Sequence, residues 1–351
     1  MAYLSTRAAW QRVGIYHACE GATWGVPVTA SSGWYWLREL SNVNPTPANP
    51  KNPPAFLGTG KGYDEFDHFT QGVNIMKPMS TRHPLTPFAW RDGFALFAQN
   101  NDDATHAWWL DTGGTGISVS KAATLVTKSC TDTDTVSGLN IMHRGVSCII
   151  NQLGLSIPTS GEATITYGWI GQTAQVLDHN ASGANLGTPS ADSAEALQGQ
   201  SCTFSMATAG VTPPTAVNGF CSAEITLTNG GTLGSCNASG LPACANLGRS
   251  NVTGTVTVLD MGQDSTQAYT ALMTAWEANA DAAASEVILE WGWSSNTTAL
   301  IVPVVITDRS DPQDIGGALA YTFTFKYAGG DANYPVWRAV TPTLTASPYY
   351  A

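Results

Sequence analysis

Apolar residues return at i, i+4 and i+7 in two places: at Trp90, Phe94 and Phe97, and again at Tyr269, Met273 and Trp276. This spacing lays one apolar stripe along a helix and predicts helices over about 86–99 and 265–279. Asn100 and Asn279 extend the match, so the two stretches run at a constant offset of 179 residues. The same offset carries Trp108-Trp109-Leu110-Asp111 onto Val287-Ile288-Leu289-Glu290, an apolar run after each helix that reads as a strand. Upstream, Val73-x-Ile75-Met76 is answered by Val256-x-Val258-Leu259. Downstream, Ile165-x-Tyr167-x-Trp169-x-Gly171 is answered by Phe323-x-Phe325-x-Tyr327-x-Gly329, and both alternate as half-buried strands do. The pattern predicts a tandem duplication. The fold class it implies is mainly β: two related sandwich or barrel domains, each with one flanking helix.

Residues 1–13 read as an N-terminal arm and 14–177 as the first domain, with strands near 14–19, 34–40, 106–111, 117–127, 145–157 and 162–171. Inside it, 42–62 is a loop carrying Pro45, Pro47, Pro50, Pro53 and Pro54, then Gly58, Gly60 and Gly62. Loops of that length are uncommon in compact domains unless they bind something, and the prolines lower the entropy lost on docking. From 178 to 215 the chain turns to Ala, Ser, Gly, Thr and Pro, closing with Pro213-Pro214, a linker between the copies. The second domain spans 216–328, with strands near 217–229, 251–261, 286–292, 299–307 and 318–327. Residues 329–351, bearing Tyr334 and Trp337, continue neither pattern and read as a C-terminal arm.

Composition sharpens the picture. Charged residues make up 12% of the 351, well below the roughly 25% usual for soluble domains. So few charges suit a chain that hides much of its surface against other chains. The net charge is −11, and the 15 basic residues form no cluster, which excludes a conventional nucleic-acid binder. Acidity suits a surface that nucleic acid passes without sticking. Seven cysteines, Cys19, Cys130, Cys148, Cys202, Cys221, Cys236 and Cys244, show no C-x-x-C. They read as free thiols of a reducing cytoplasm, with Cys236 and Cys244 close enough to bridge under oxidation. The N-terminus lacks the apolar core of a signal peptide, and no apolar run reaches the ~18 residues of a membrane span. A soluble protein made in the cytosol is expected.

The chemical motifs are weak. Gly58-Thr59-Gly60-Lys61-Gly62 has Gly62 where a phosphate loop needs Ser or Thr. Asp64, Glu65, Asp67 and His68 could begin a cation site, but nothing nearby completes it. Asp132 and Asp134 start like a calcium loop that Val136 and Ser137 break. The six histidines are dispersed, and neither H-E-x-x-H nor G-x-S-x-G occurs. No catalytic, cofactor-binding or metal residue is assigned. Twelve tryptophans raise a carbohydrate-binding sandwich as an alternative, but Trp90, Trp108, Trp109, Trp276 and Trp293 fall in periodic segments, where they build core.

Particular stretches resemble the tail tube (major tail) proteins of long-tailed bacteriophages. Glu20-Gly-Ala-Thr23-Trp-Gly25 is similar to that family's early Glu-x-x-Thr-x-Gly stretch. Val146–Ile157 followed by Glu162–Gly171 resembles its paired strands. Phe220–Thr228 followed by Gly248-Arg249-Ser-Asn-Val252-Thr253-Gly254-Thr255 resembles its second half. The resemblance covers about residues 14–328. It implies a non-enzymatic virion protein whose domains close a ring around a channel, with rings stacking into the tube through which the genome leaves. Two domains per chain then imply three chains per pseudo-sixfold ring. Partners are further copies of itself, other tail proteins (terminator, tape measure, tail tip) and transiently passing double-stranded DNA, with no membrane and no cofactor. A tail terminator, a decoration protein or an uncharacterised hydrolase are the rival readings. Candidate contacts between subunits or rings are Pro45, Pro47, Pro50, Pro53, Pro54, Lys61, Tyr334 and Trp337.

Overall fold

The computed structural model describes residues 14–20, 24–30, 33–41, 43–48, 51–52, 69–70, 75–98, 100–102, 107–109, 122–128, 141–178, 186, 190–192, 194–208, 214–234, 241–262, 267–278, 286–293, 298–328 and 338–340. The fold is mainly β, with helices α1 (Pro87–Ala98) and α2 (Ala268–Glu277) where the apolar spacing placed them. α1 starts because the Thr86 hydroxyl accepts the Ala89 N–H at 3.0 Å and Pro87 follows with its φ preset for a helix. Gly93 lets the helix settle on the Tyr167 ring, 2.7 Å from where a Cβ would stand.

Each helix belongs to a set of five antiparallel strands in the same order. In the first set Gly14–Cys19 pairs with Ala123–Lys128, that strand with Ile141–Ile157, that with Thr164–Asp178, and that with the pre-helix strand Met79–Pro84. In the second the order is Thr203–Thr208, Glu286–Trp293, Thr298–Arg309, Ala318–Tyr327 and the pre-helix strand Asn251–Asp260. The long hairpins of the two sets match at an offset of 156 residues. Their β-bulges, between Ile150 and Gln152 and between Ile306 and Asp308, lie that far apart. So do Gly161 and Gly317 in the hairpin turns, at φ 92° and 88°, a region open to glycine. The buried Tyr167 and Trp169 correspond to Phe323 and Phe325.

The offset of 179 therefore holds for the helices alone. Ala107–Trp109 pairs with Asn100–Asp102 and with Arg338–Val340 instead of continuing the first set. Arg338–Val340, the partner of that apolar run, lies against the helix, where the Trp90 indole donates to Val340 O at 3.0 Å. The alternating hairpin strands match two residues short of the spacing that aligns Ile165 with Phe323. Trp90 and Trp293 build core, as the periodicity implies, but Trp276 is 37% exposed. α2 faces its sheet with Ala268, Leu272 and Ala275 instead, and Arg309 lies over the Trp276 ring at 4.9 Å.

A buried carboxylate closes the first set. Glu20 accepts the Ser147 N–H at 2.7 Å, the Ser147 hydroxyl at 2.6 Å and the Thr124 hydroxyl at 2.7 Å. Those hydroxyls accept the Gly25 and Val28 N–H groups, so one side chain pins the following loop to two strands. It also holds Ser147 at φ 50°, a strained value for a residue with a Cβ. Burial outweighs these bonds and raises the Glu20 carboxyl above its ordinary 4.5. Its folded value exceeds its unfolded one, so its contribution to stability is fully present below 4.5 and is lost as pH rises through the raised value. Urea midpoints measured from pH 4.5 to 8 should therefore fall with rising pH, and more shallowly in Glu20→Gln. Asp192, raised for the same reason, supplies a residual slope of the same sign.

Candidate functional site

The two sets form one sheet because Ile141–Ile157 carries two partners on one edge. Its first half pairs with Ala123–Lys128, and 152–157 pair with 223–228 of the strand Phe220–Thr228. That strand pairs in turn with Asn251–Asp260. Gly254 is required here, since a Cβ would stand 2.3 Å from Glu224 O and 2.7 Å from the Phe325 ring.

One face of this joined sheet packs on the helices. The other is solvent-facing and built from small hydroxyl-bearing and amide residues in register. Ser80 and Arg82 stand opposite Gly168 and Thr166, and these opposite Gln152 and Gly154. Thr228, Thr226 and Glu224 follow, then Asn251, Thr253 and Thr255, then Lys326 and Thr324. Among these positions only Arg82, Glu224 and Lys326 carry charge. Ser156 donates to Glu224 at 2.5 Å, and Thr257 and Thr322 lie 2.9 Å apart. Such a wall has no cluster of cations to hold phosphates and no apolar patch to hold bases.

Side chains clamp the sets together behind that face. The buried Asn229 donates to Phe97 O at 2.8 Å, capping the end of α1, and to Ile150 O at 2.9 Å, while accepting the Gly231 N–H at 2.9 Å. The Trp24 indole and the Gln172 amide both donate to Pro242 O, at 3.0 and 2.8 Å. α1 is buried nearly all round as a result, whereas α2 keeps one side in solvent.

The second set leaves open what the first has filled. Glu286–Trp293 covers Thr298–Arg309 only as far as Val305, and Ala318–Tyr327 lies on the other edge. Beyond Val305 no strand among the described residues pairs with the first edge. This is the position that 223–228 fill in the first set.

Of the contact candidates, Pro45 is buried, close to where a Gly145 Cβ would stand, and the half-buried Pro47 pairs with Met76. Both therefore meet their own chain. Pro50, Pro53, Pro54, Lys61, Tyr334 and Trp337 lie outside the described residues, as do Asp64, Glu65, Asp67 and His68. Sequence reasoning missed Asn229, just beyond the strand Phe220–Thr228, and Gln172, inside the strand Thr164–Asp178, because a lone polar side chain gives no periodic signal. Cys148, Cys202, Cys221 and Cys244 are free thiols. Burial raises the Cys202 thiol to about 12 and lifts those of Cys148 and Cys221, which keeps them protonated and unreactive at neutral pH. Among the described residues no group of His, Cys, Asp or Glu could hold a metal ion, and no helix is long and apolar enough to cross a membrane.

A mainly β chain of two like sets, with a strand edge unpaired among the described residues and a bland sheet face, has the build of a structural assembly protein. Residues 20–327 match the family described as phage tail tube protein, and the chain belongs to that family. It is a structural tail tube subunit, a component of the virion tail. No match is found among curated proteins. Among solved structures, a chain of the virion of a native gene transfer agent particle is similar at 12% identity and a TM-score of 0.27, covering 38% of this chain and 96% of that one.

Asn229→Ala strands two buried carbonyls, Phe97 O and Ile150 O, and should lower stability by roughly 2–4 kcal/mol. Thermal unfolding checks this, with a lower midpoint expected in the variant than in the parent chain.

Proposed function

We propose that the chain closes into rings of three copies, six strand sets in all, and that stacked rings form the channel for genome ejection. The observation that carries this reading is the edge of Thr298–Arg309 beyond Val305, which no strand among the described residues covers. The first set fills the same position with Phe220–Thr228, the strand that pairs with the second set, so a neighbouring copy filling it continues one sheet around the ring. A head-to-tail contact of this kind closes when its rotation divides the circle, and pairing the edges removes the aggregation liability of an unpaired strand.

The first tube unit is assigned to about 14–177. The second is assigned to 216–328 together with Thr203–Thr208, which does in its set what Gly14–Cys19 does in the first. The hydroxyl-rich face is assigned to the channel. Double-stranded DNA slides along it because phosphates meet neutral donors and few cations, so little counterion release rewards sticking. The proline-rich loop with Pro50, Pro53, Pro54 and Lys61, and the C-terminal arm with Tyr334 and Trp337, are assigned to contacts between successive rings. Terminator, tape measure and tail-tip proteins are the partners at the tube ends, and assembly takes place in the host cytoplasm. Catalysis has no part in this role.

Electron microscopy of the purified protein tests the proposal. Hollow filaments of uniform width are expected. A compact monomer at every concentration, with no filament, contradicts it.

A further inference from the structure

The hydroxyls on the solvent-facing side of the joined sheet form a regular grid. Thr226 stands opposite Thr253, and two residues along Thr255 stands opposite Thr324, then Thr257 opposite Thr322. Neighbouring strands lie about 4.8 Å apart and successive residues of one face about 6.8 Å apart, so the spacing repeats in two directions. Threonine is β-branched and stiff at its first side-chain torsion, which keeps each hydroxyl in place. Of these three pairs only Thr257 and Thr322 bond each other directly, at 2.9 Å. Thr253 is exposed, and Thr226, Thr255 and Thr324 are half-buried. Among the described residues their four hydroxyls bond to no protein group. A half-buried hydroxyl without a protein partner is satisfied by water.

We propose that this face binds an ordered layer of water, in register with the hydroxyls, and that passing DNA rides on that layer. The inference rests on the assignment of this face to the channel. Strand spacing supports it. A water about 2.8 Å from each of two hydroxyls bridges a gap of about 4.8 Å at an angle of about 120°, within its bonding range. Opposite threonines that do not touch are therefore one water apart. Gly154 and Gly168 deepen the face into a groove of about 370 Å³, lined also by Ser80, Gln152 and Thr166. At roughly 30 Å³ per water the groove holds several, joined to the layer through hydroxyls and amides. Such a layer makes the wall energetically flat. A dry neutral wall would strip water from each phosphate at a cost in free energy. On a wet wall a phosphate exchanges one water for another, so no bond is lost as it moves.

Cryo-electron microscopy of assembled tubes, at a resolution that shows water, tests this. Water density is expected between Thr226 and Thr253 and between Thr255 and Thr324. It should persist when all four are changed to Ser, which keeps the hydroxyls. It should be lost with Thr226→Val, Thr253→Val, Thr255→Val and Thr324→Val together, which keep the β-branched shape. Virions with the valine wall should release their genome more slowly than the parent, and those with the serine wall at the parent rate. A parent map without water in those gaps overturns the inference and leaves the tube reading standing, as does release at the parent rate from valine virions. A map that places this face outside the channel overturns its assignment to the channel wall and, with it, the ride on water. The parent and serine maps decide the case if the valine chain fails to assemble. If no tube forms at all, crystals of the parent chain carry the same test of the water layer.

Discussion

The 17-residue strand Ile141–Ile157 is long enough to hold two partners on a single edge, and the rest of the architecture depends on that. At about 3.4 Å per residue it spans some 58 Å. Its first half completes the first set and its second half receives Phe220–Thr228, which pairs in turn with the second. A shorter strand would leave two separate sheets. The ladder across 152–157 makes them one, and it also fixes register, because a slip of one residue would turn every core side chain to the solvent face.

From that joint the asymmetry of two like units follows. The first set is enclosed by its own chain: α1 is covered by Ala107–Trp109 and Arg338–Val340, its end is capped by Asn229, and its turn end is closed by Ala194–Ser201. The second set has the same hairpin, bulge and turn glycine, but among the described residues it has an edge without a partner strand beyond Val305, a half-exposed helix and exposed apolar residues at its turn end. Among the described residues, each feature satisfied within the chain at the first unit is without that partner at the second. The low charge of the sheet face fits the same logic, since the net charge of −11 is carried elsewhere.

Both helices and most long strands were legible in the sequence because burial of one face imposes a period. Trp90, Phe94 and Phe97 mark α1 directly, and Ile165, Tyr167 and Trp169 mark an arm of the first hairpin. The family motifs were legible too, and the structure supplies their reasons: Glu20 anchors three donors, Gly25 lies against Gln172, and Gly254 lies against Glu224. Edge pairing carries no period, so the joint at 152–157 could not be read. Thr203–Thr208 was hidden because its residues blend into an Ala-, Ser- and Thr-rich stretch that reads as linker. Trp276 misled because apolar spacing marks a stripe without saying how far the sheet beneath it reaches.

The proposal that one strand edge serves a neighbour within the chain and a neighbour in the next chain is tested most directly by the rotational symmetry of an assembled ring. Cryo-electron microscopy of end-on rings should show threefold symmetry, with six strand sets joined into an unbroken sheet and residues beyond Val305 paired to the next chain. A ring of six chains, or one in which that edge of Thr298–Arg309 stays open, would contradict it.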